Sequence, residues 1–515
     1  MTCCLEDIRS FSFLHNQSGL KMMKTRNFFL TMLAVVIAGV VGLVACEKSA
    51  NKIPLEDRSV IAGITSTCGL AGMCGDSMIA GVITADLHLK TCIEYQLRGL
   101  VYVSNNATLT IEPGTRIVGL LGSGGSESLG GGLIVTRGAK IIADGLLADG
   151  TVCPIVFTSA NWNNNPQPGD WSGVSILGRA PINKTNPLLE GVGGSPAGDA
   201  RYGGDNCSDS SGLLRYVRIE YAGYELSTDN ELNGLTLAGV GCRTMIDHVE
   251  VYKARDDAFA FFGGTVNCTH LVAVDAQDDL FDATFGYSGR IQYALGLSDP
   301  DRADKSQSNG IESENDNVSP NPATPQTLAM ISNLTIIGQA DSSLGVRTNM
   351  PPSGLFSATY GRAAHIRRNS GFVVANSIFM GFKWGISLDG TASQNKLLVD
   401  GISCFRNNLV QAFVTPFKTE NAAGTWAPLA GTGNVGYASF DANTDILLTD
   451  PFNRYVQDFA LPQLTSPAVG ATFNAGCFSG GCCGFTYTTN SFKGAFGSEN
   501  WAQDLNLGGW VRYYE

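Results

Sequence analysis

From about residue 97 the chain alternates apolar and polar positions in short runs. LRGLVYVSNNATLTIEPGTRIVG gives two strands with turn residues between them, GGLIVTRGAKIIADG gives two more, and PIVFTSA and WSGVSILG give one each. Each run is rich in Val, Ile, Leu and Thr, which suit a pleated, half-buried surface. Each is bounded by Gly, Asn, Asp or Pro, which favour turns. Helical periodicity is absent through this region, so the pattern predicts strands. LLRYVRIEYAG, NGLTLAGVG, SNLTIIG, FVVANSIFMGFKWGISLDG and KLLVDGISCF carry it on to about Phe405.

Within residues 246–316 the strands become a repeat. VEVYKARDDAFAF is followed by LVAVDAQDDLFDA and then by a looser SNGIESEND. Asp257 and Asp279 are 22 residues apart, as are His248 and His270. Identical positions recurring at one coil length are the mark of a solenoid. Short strands at regular spacing also suit a sandwich, but the coil-length repeat favours stacked coils, each covering its neighbour's open edge. The expected fold is all-β, a right-handed parallel β-helix over residues 81–410, with coils and an irregular C-terminal cap of the same domain over 411–515. Two Gly/Pro/Asn-rich excursions, 178–212 and 318–327, interrupt it; loops this long are usually functional or mobile.

The 44% hydrophobic content of 515 residues allows a large core, and 62 glycines with only 16% charged residues fit a turn-rich β protein. A net charge of −12 argues against nucleic acid or anionic lipid as partner and permits cations. Near the N-terminus, Lys21, Lys24 and Arg26 precede an uncharged apolar run at 28–45 that ends LVA-Cys46. The run is nearly long enough to span a bilayer, but small residues just before a Cys look like a bacterial lipobox. The reading taken is a signal peptide whose cleavage leaves Cys46 lipidated, followed by a tether at 47–80. Residues 1–20 do not fit ahead of such a signal, so translation is expected to start at Met22 or Met23. Setting aside Cys3, Cys4 and Cys46 leaves eleven of the fourteen cysteines, so at least one is unpaired. Cys68, Cys74 and Cys92 offer a local disulfide, with the pairing open.

TLTIEPGTRIVG, GGLIVTRGAKIIADG, WSGVSILGRAPIN, NGLTLAGVG, VEVYKARDDAFAFFGGTVN and the terminal GAFGSENW, in that order, cover most of residues 97–501. On these phrases the chain resembles the pectin-lyase-like right-handed parallel β-helix lipoproteins of Gram-negative bacteria. The resemblance implies the fold and a lipid-anchored place at the outer membrane or cell surface, and says little about activity. Some members carry the label "multidrug transporter"; the part of the chain beyond Cys46 has no apolar run able to span a membrane.

Strand alternation sorts the acidic residues. With Phe259 and Phe261 inward, Asp257 shares their side, and Asp256, Ala258 and Ala260 face out. Asn233, Asp257, Asp279 and Asn309 then form one column, read as a hydrogen-bonding ladder between coils. Outward, Asp256 stacks on Asp278 and Asp282 on Glu312, about 4.8 Å apart. Like charges so close repel unless a cation is shared, so Asp256, Asp278, Asp282 and Glu312 are the candidate Ca²⁺ ligands, against the plainer reading of a solvated acidic face. His248 and His270 stack without an evident third ligand and are read as a surface pair. No phosphate loop, HExxH motif or GxSxG elbow occurs.

Two functions are compatible with this pattern. The first is a surface lipoprotein presenting a rigid β-helix to glycan, matrix or a partner protein, with Trp162, Trp171, Trp384 and Trp426 as contact candidates and the membrane touched only through the lipid on Cys46. The second is a polysaccharide lyase or glycoside hydrolase on an acidic polysaccharide. There Asp256, Asp278, Asp282 and Glu312 would serve as ligands or catalytic carboxylates, and Arg255, Arg290 or Lys305 as base. Asp278, Asp282, Glu312 and Arg290 are the catalytic candidates.

Overall fold

A computed structural model describes Cys68 and residues 74–514, apart from 123–129, 193–198, 228–229, 300–301, 304–306, 317–321, 342–360, 423–425, 427–430, 479 and 481. All lie in one compact unit, Ser59–Glu515. Cys46 and Lys305 fall outside the described residues. No helix among the described residues is long and apolar enough to cross a membrane.

Twenty-four strands join side by side, with every pairing among them parallel, as the coils of a right-handed β-helix. Each coil contributes to three faces. The first sheet starts with Leu87–Leu89, Thr108–Ile111 and Lys140–Asp144 and ends with Gly371–Ala375 and Cys404–Arg406. The second starts with Gly75–Ile83 on Ile93–Val103 and ends with Val435–Ala438. Gly212–Glu220, Met245–Tyr252, Asn267–Val274, Arg290–Leu297 and Leu328–Ile337 run through both. The third sheet includes Gly173–Leu177, Leu235–Ala238, Phe259–Phe262, Phe281–Thr284, Ile311–Glu314, Arg362–Arg367 and the later parts of Ile378–Asp389 and Leu409–Glu420.

The long strands bend between the first two sheets at one left-handed residue per coil. Tyr216, His248, His270, Tyr293, Asn333, Asn376 and Asn407 hold this position with φ between 51° and 61°. Asn tolerates that backbone region; the ringed residues are held there by stacking on the ring one coil away, at 4.4, 4.2 and 5.1 Å from Tyr216 to Tyr293. Inside the coils Phe259 stacks on Phe281 at 5.5 Å and Phe261 on Tyr287 at 4.7 Å. Full burial of such a ring contributes about 1.5–3 kcal/mol.

Two irregular segments cover the outside. Leu189, Val192 and Tyr202 of the first excursion pack on the outward Leu177, Ala238, Ala260 and Phe262 of the third sheet. The C-terminal segment runs back along the second sheet, with Ile446, Phe459, Phe496 and Trp510 packing around Tyr252, Val272 and Leu295. It is fastened by Cys207–Cys482, Cys242–Cys483 and Cys404–Cys477. Of the three N-terminal cysteines, Cys74 pairs with Cys92, while Cys68 reaches across to Cys153. Cys268 is buried and unpaired.

Candidate functional site

The acid and amide column is a hydrogen-bond ladder. Asp257 Oδ1 accepts the backbone N–H of Asp279 at 3.0 Å, Asp279 Oδ1 that of Asn309 at 2.6 Å, and Asn309 Oδ1 that of Arg362 at 2.9 Å. The parity assignment is corrected at two positions: Ala258 faces the core together with Phe259 and Phe261, and one coil on Leu280, which the same alternation puts outward with Asp278 and Asp282, faces the core beside Phe281. Residues 255–258 bend, and strict alternation holds only while the chain stays extended. The ladder therefore stands at the coil corner.

Beside it one oxygen each of Asp256, Asp257 and Asp278 lies within 4.8 Å of the others. The Asn233 amide faces the same spot; with its nitrogen turned inward it donates to Asp256 Oδ2 at 3.0 Å and Asp257 Oδ2 at 3.3 Å. Burial, then the charges of Asp256, Asp282, Asp278 and Asp279, push the Asp257 carboxyl well above its ordinary range. Burial and the neighbouring Asp278, Glu312 and Asp282 do the same to Asp279. An all-oxygen set crowded by like charges fits Ca²⁺ by donor chemistry.

Asp282 and Glu312 are in register on adjacent strands, as the repeat predicts, and Glu312 is engaged by the protein's own side chains. Its oxygens face His365 Nδ1 at 3.3 Å and the Arg367 guanidinium. Burial raises its pKa, and the hydrogen bond from His365 with the charge of Arg367 outweighs that and holds the carboxyl below its usual range. Asp282 differs: burial, then Glu312 and Glu314, push it well up against the opposing pull of Arg367.

The polar row continues beyond the sequence candidates. His365 is clamped between Glu312 and Asp389, whose Oδ2 lies 3.1 Å from Nε2. Glu314 takes Arg367 at 3.1 Å and Arg368 at 2.5 Å. Glu420 binds both arms of Arg362 at 2.7 and 2.8 Å, with Lys418 at 3.1 Å. Although burial opposes it, Arg362 and Ser387 bring its pKa down to about 2. Arg367, Arg368, Asp389, Asn395 and Asn421 line an open groove of about 670 Å³ against the helix Thr391–Leu398.

Residues 81–435 match the family described as a pectate-lyase like beta helix domain. The chain belongs to this family. A search of curated proteins finds no match. Membership in the pectate-lyase-like β-helix family accounts for the three-faced coil; the carboxylate cluster and the groove are features of this chain's own side chains.

Within this β-helix, several expected site residues stand apart from the third sheet. Arg290 is buried on the first sheet, where its guanidinium donates to the Gly480 carbonyl under the C-terminal segment. Arg255 pairs with Glu225. Trp171 and Trp426 are buried, and Trp162 lies under Arg116 at 3.8 Å; Trp384, by contrast, is on the third sheet, in register with Arg362 and facing Lys418 at 3.4 Å. His248 and His270 are no surface pair, because Trp510 and Trp501 pack edge-on over them. His365, Arg367, Arg368 and Asp389 escaped the sequence reading. The string HIRR at 365–368, falling on a strand after residues 308–316, was their one signal.

Proposed function

We propose that the chain is a binding module that holds an acidic oligosaccharide on its third sheet, in the groove of Arg367, Arg368, Asp389, Asn395 and Asn421. The lining carries the reading: the two guanidinium forks of Arg367 and Arg368 and the three amides of Asn369, Asn395 and Asn421, with Asp389 its one carboxylate and no bulky apolar side chain. A guanidinium presents five donors in a plane that matches a carboxylate, and amides bond hydroxyl pairs. Ca²⁺ at Asp256, Asp257 and Asp278, with the Asn233 carbonyl, would relieve the carboxylate crowding beside this face. A lipid on Cys46 would tether the module to the outer membrane or cell surface, with glycan or matrix as partner.

The test is binding of the full chain to an array of uronate-containing and neutral glycans. Arg368→Ala lowers retention of uronates about tenfold, the effect of losing one charge-assisted contact of about 1.5 kcal/mol. Equal binding by the variant contradicts the reading. One observation favours a second reading, a glycoside hydrolase. Asp282, pushed toward its neutral form, stands in register with the ionised Glu312, and environments that split two carboxyls supply an acid and a base. Strand spacing of about 4.8 Å is near the about 5–5.5 Å carboxyl separation of retaining enzymes. Reducing ends released by wild type and not by Asp282→Asn would support it; no release from any bound glycan would reject it.

A further inference from the structure

On the bend between the first and second sheets, away from the groove, three metal-type side chains meet. Asp247 and His248 are neighbours on Met245–Tyr252, and His270 holds the same bend one coil on. Left-handed backbone at both histidines, φ 52° and 54°, turns the two rings the same way, with centroids 4.2 Å apart. Asp247 Oδ1 lies 2.9 Å from His248 Nδ1 and 2.8 Å from His270 Nδ1. One ligand atom from each residue lies within 4.8 Å of the other two.

The two nitrogens are not equally satisfied. His270 Nδ1 hydrogen-bonds Asp247, whose Oδ1 also accepts from Thr269 Oγ1 at 2.7 Å. His248 Nδ1 is shut off from solvent and makes no hydrogen bond, since its approach to Asp247 lacks the angle for one. A buried polar atom without a partner is expensive, and a metal ion accepts the lone pair such a nitrogen offers. Zinc bonds of about 2.0–2.1 Å in a tetrahedron set ligand atoms about 3.3 Å apart, so the two Asp247–histidine spacings need to open by only about half an ångström to admit an ion.

The surroundings agree. Trp501 stands edge-on to His270 at 4.9 Å and Trp510 to His248 at 5.5 Å, so the C-terminal segment roofs the cluster.

We propose that Asp247, His248 and His270 bind one divalent transition ion of the zinc class beneath the C-terminal segment. Two imidazoles and one carboxylate suit zinc, cobalt or nickel; Ca²⁺ prefers all-oxygen sites such as the Asp256 cluster. The bound ion would tie two successive coils together under the residues that roof them.

The test uses the full chain, stripped with chelator and titrated with Co²⁺. The expected result is one cobalt per chain, with the visible absorption of a low-coordinate site, displaced by Zn²⁺ but not by Ca²⁺. Trp501 and Trp510 make the ion visible a second way, by quenching of tryptophan fluorescence that Trp501→Phe diminishes without changing the stoichiometry. His270→Gln weakens cobalt binding at least tenfold. Absence of cobalt binding by the wild-type chain overturns the proposal whatever the variants do. Undiminished binding by a His248→Ala, His270→Ala chain also overturns it. Should that double variant lose its circular-dichroism signature, the wild-type stoichiometry and the Trp501→Phe quenching decide.

Discussion

Asp279 separates two things a carboxylate does at a coil corner. Its Oδ1 accepts the Asn309 N–H at 2.6 Å, and its charge sits among Asp278, Glu312 and Asp282. Asp279→Ala removes both, leaving a buried backbone N–H unsatisfied at a cost of about 1–3 kcal/mol. Asp279→Asn keeps an acceptor of the same shape, as Asn309 does toward Arg362, and removes only the charge. Because the folded chain raises this carboxyl above its unfolded value, the ionised form opposes folding, and wild-type stability falls as pH climbs from the unfolded pKa through the folded one. The Asn variant should match wild type near pH 4 and exceed it at pH 8 in chelator, while the Ala variant lies below wild type at pH 4, before the charge counts. Urea denaturation of the full chain with excess chelator reads all three. If Asn is as damaging as Ala at pH 8, the ladder is not held by the carbonyl-like oxygen and the reasoning fails. Adding Ca²⁺ should then stabilise wild type, by about 2.7 kcal/mol at one hundred times the dissociation constant, and stabilise Asp257→Asn less.

Other expectations follow from the same geometry. The Glu420 carboxyl, lowered to about 2 by Arg362 and Ser387 against burial, contributes stability that is present above its unfolded value of 4.5 and lost as pH falls toward 2. Arg362→Met should therefore flatten the acid limb of a melting-temperature profile. His365→Ala leaves Glu312 and Asp389 without the imidazole between them. Leaving a buried acceptor without its hydrogen-bond partner typically costs about 1–3 kcal/mol, readable as a fall in melting temperature; His365→Asn, which keeps a donor, should recover part of it. The Cys68–Cys153 bridge closes 85 residues and Cys74–Cys92 closes 18. Loop entropy gives about 4.6 and about 3.2 kcal/mol, so the Ser double variant of the first pair should have the lower guanidinium midpoint.

The coils were legible where the repeat kept its length. Asp257 and Asp279, with one coil between them, fall on one column, as do Asp282 and Glu312. Past residue 316 the excursions lengthen the coil. Glu312 and His365 are paired neighbours although 53 residues separate them in sequence, and no fixed period can find that pair. The same cause hid the groove. Alternation misassigned Ala258 because the chain turns there, and the C-terminal segment concealed what lies beneath it. Nothing in the spacing of Trp501 and Trp510 says that they roof His270 and His248, or that Asp247 completes the set. Cysteine arithmetic fared better in number than in pairing. One of eleven is unpaired, yet the long reach of Cys68 to Cys153 comes from coil stacking.

Hydrogen–deuterium exchange of the full chain with and without a bound acidic oligosaccharide addresses the central claim most directly. Binding in the third-sheet groove predicts slowed exchange at 362–368, 386–396 and 418–421, with the second-sheet strands and the C-terminal segment unchanged. Protection confined to other faces, or none at saturating ligand, would contradict it.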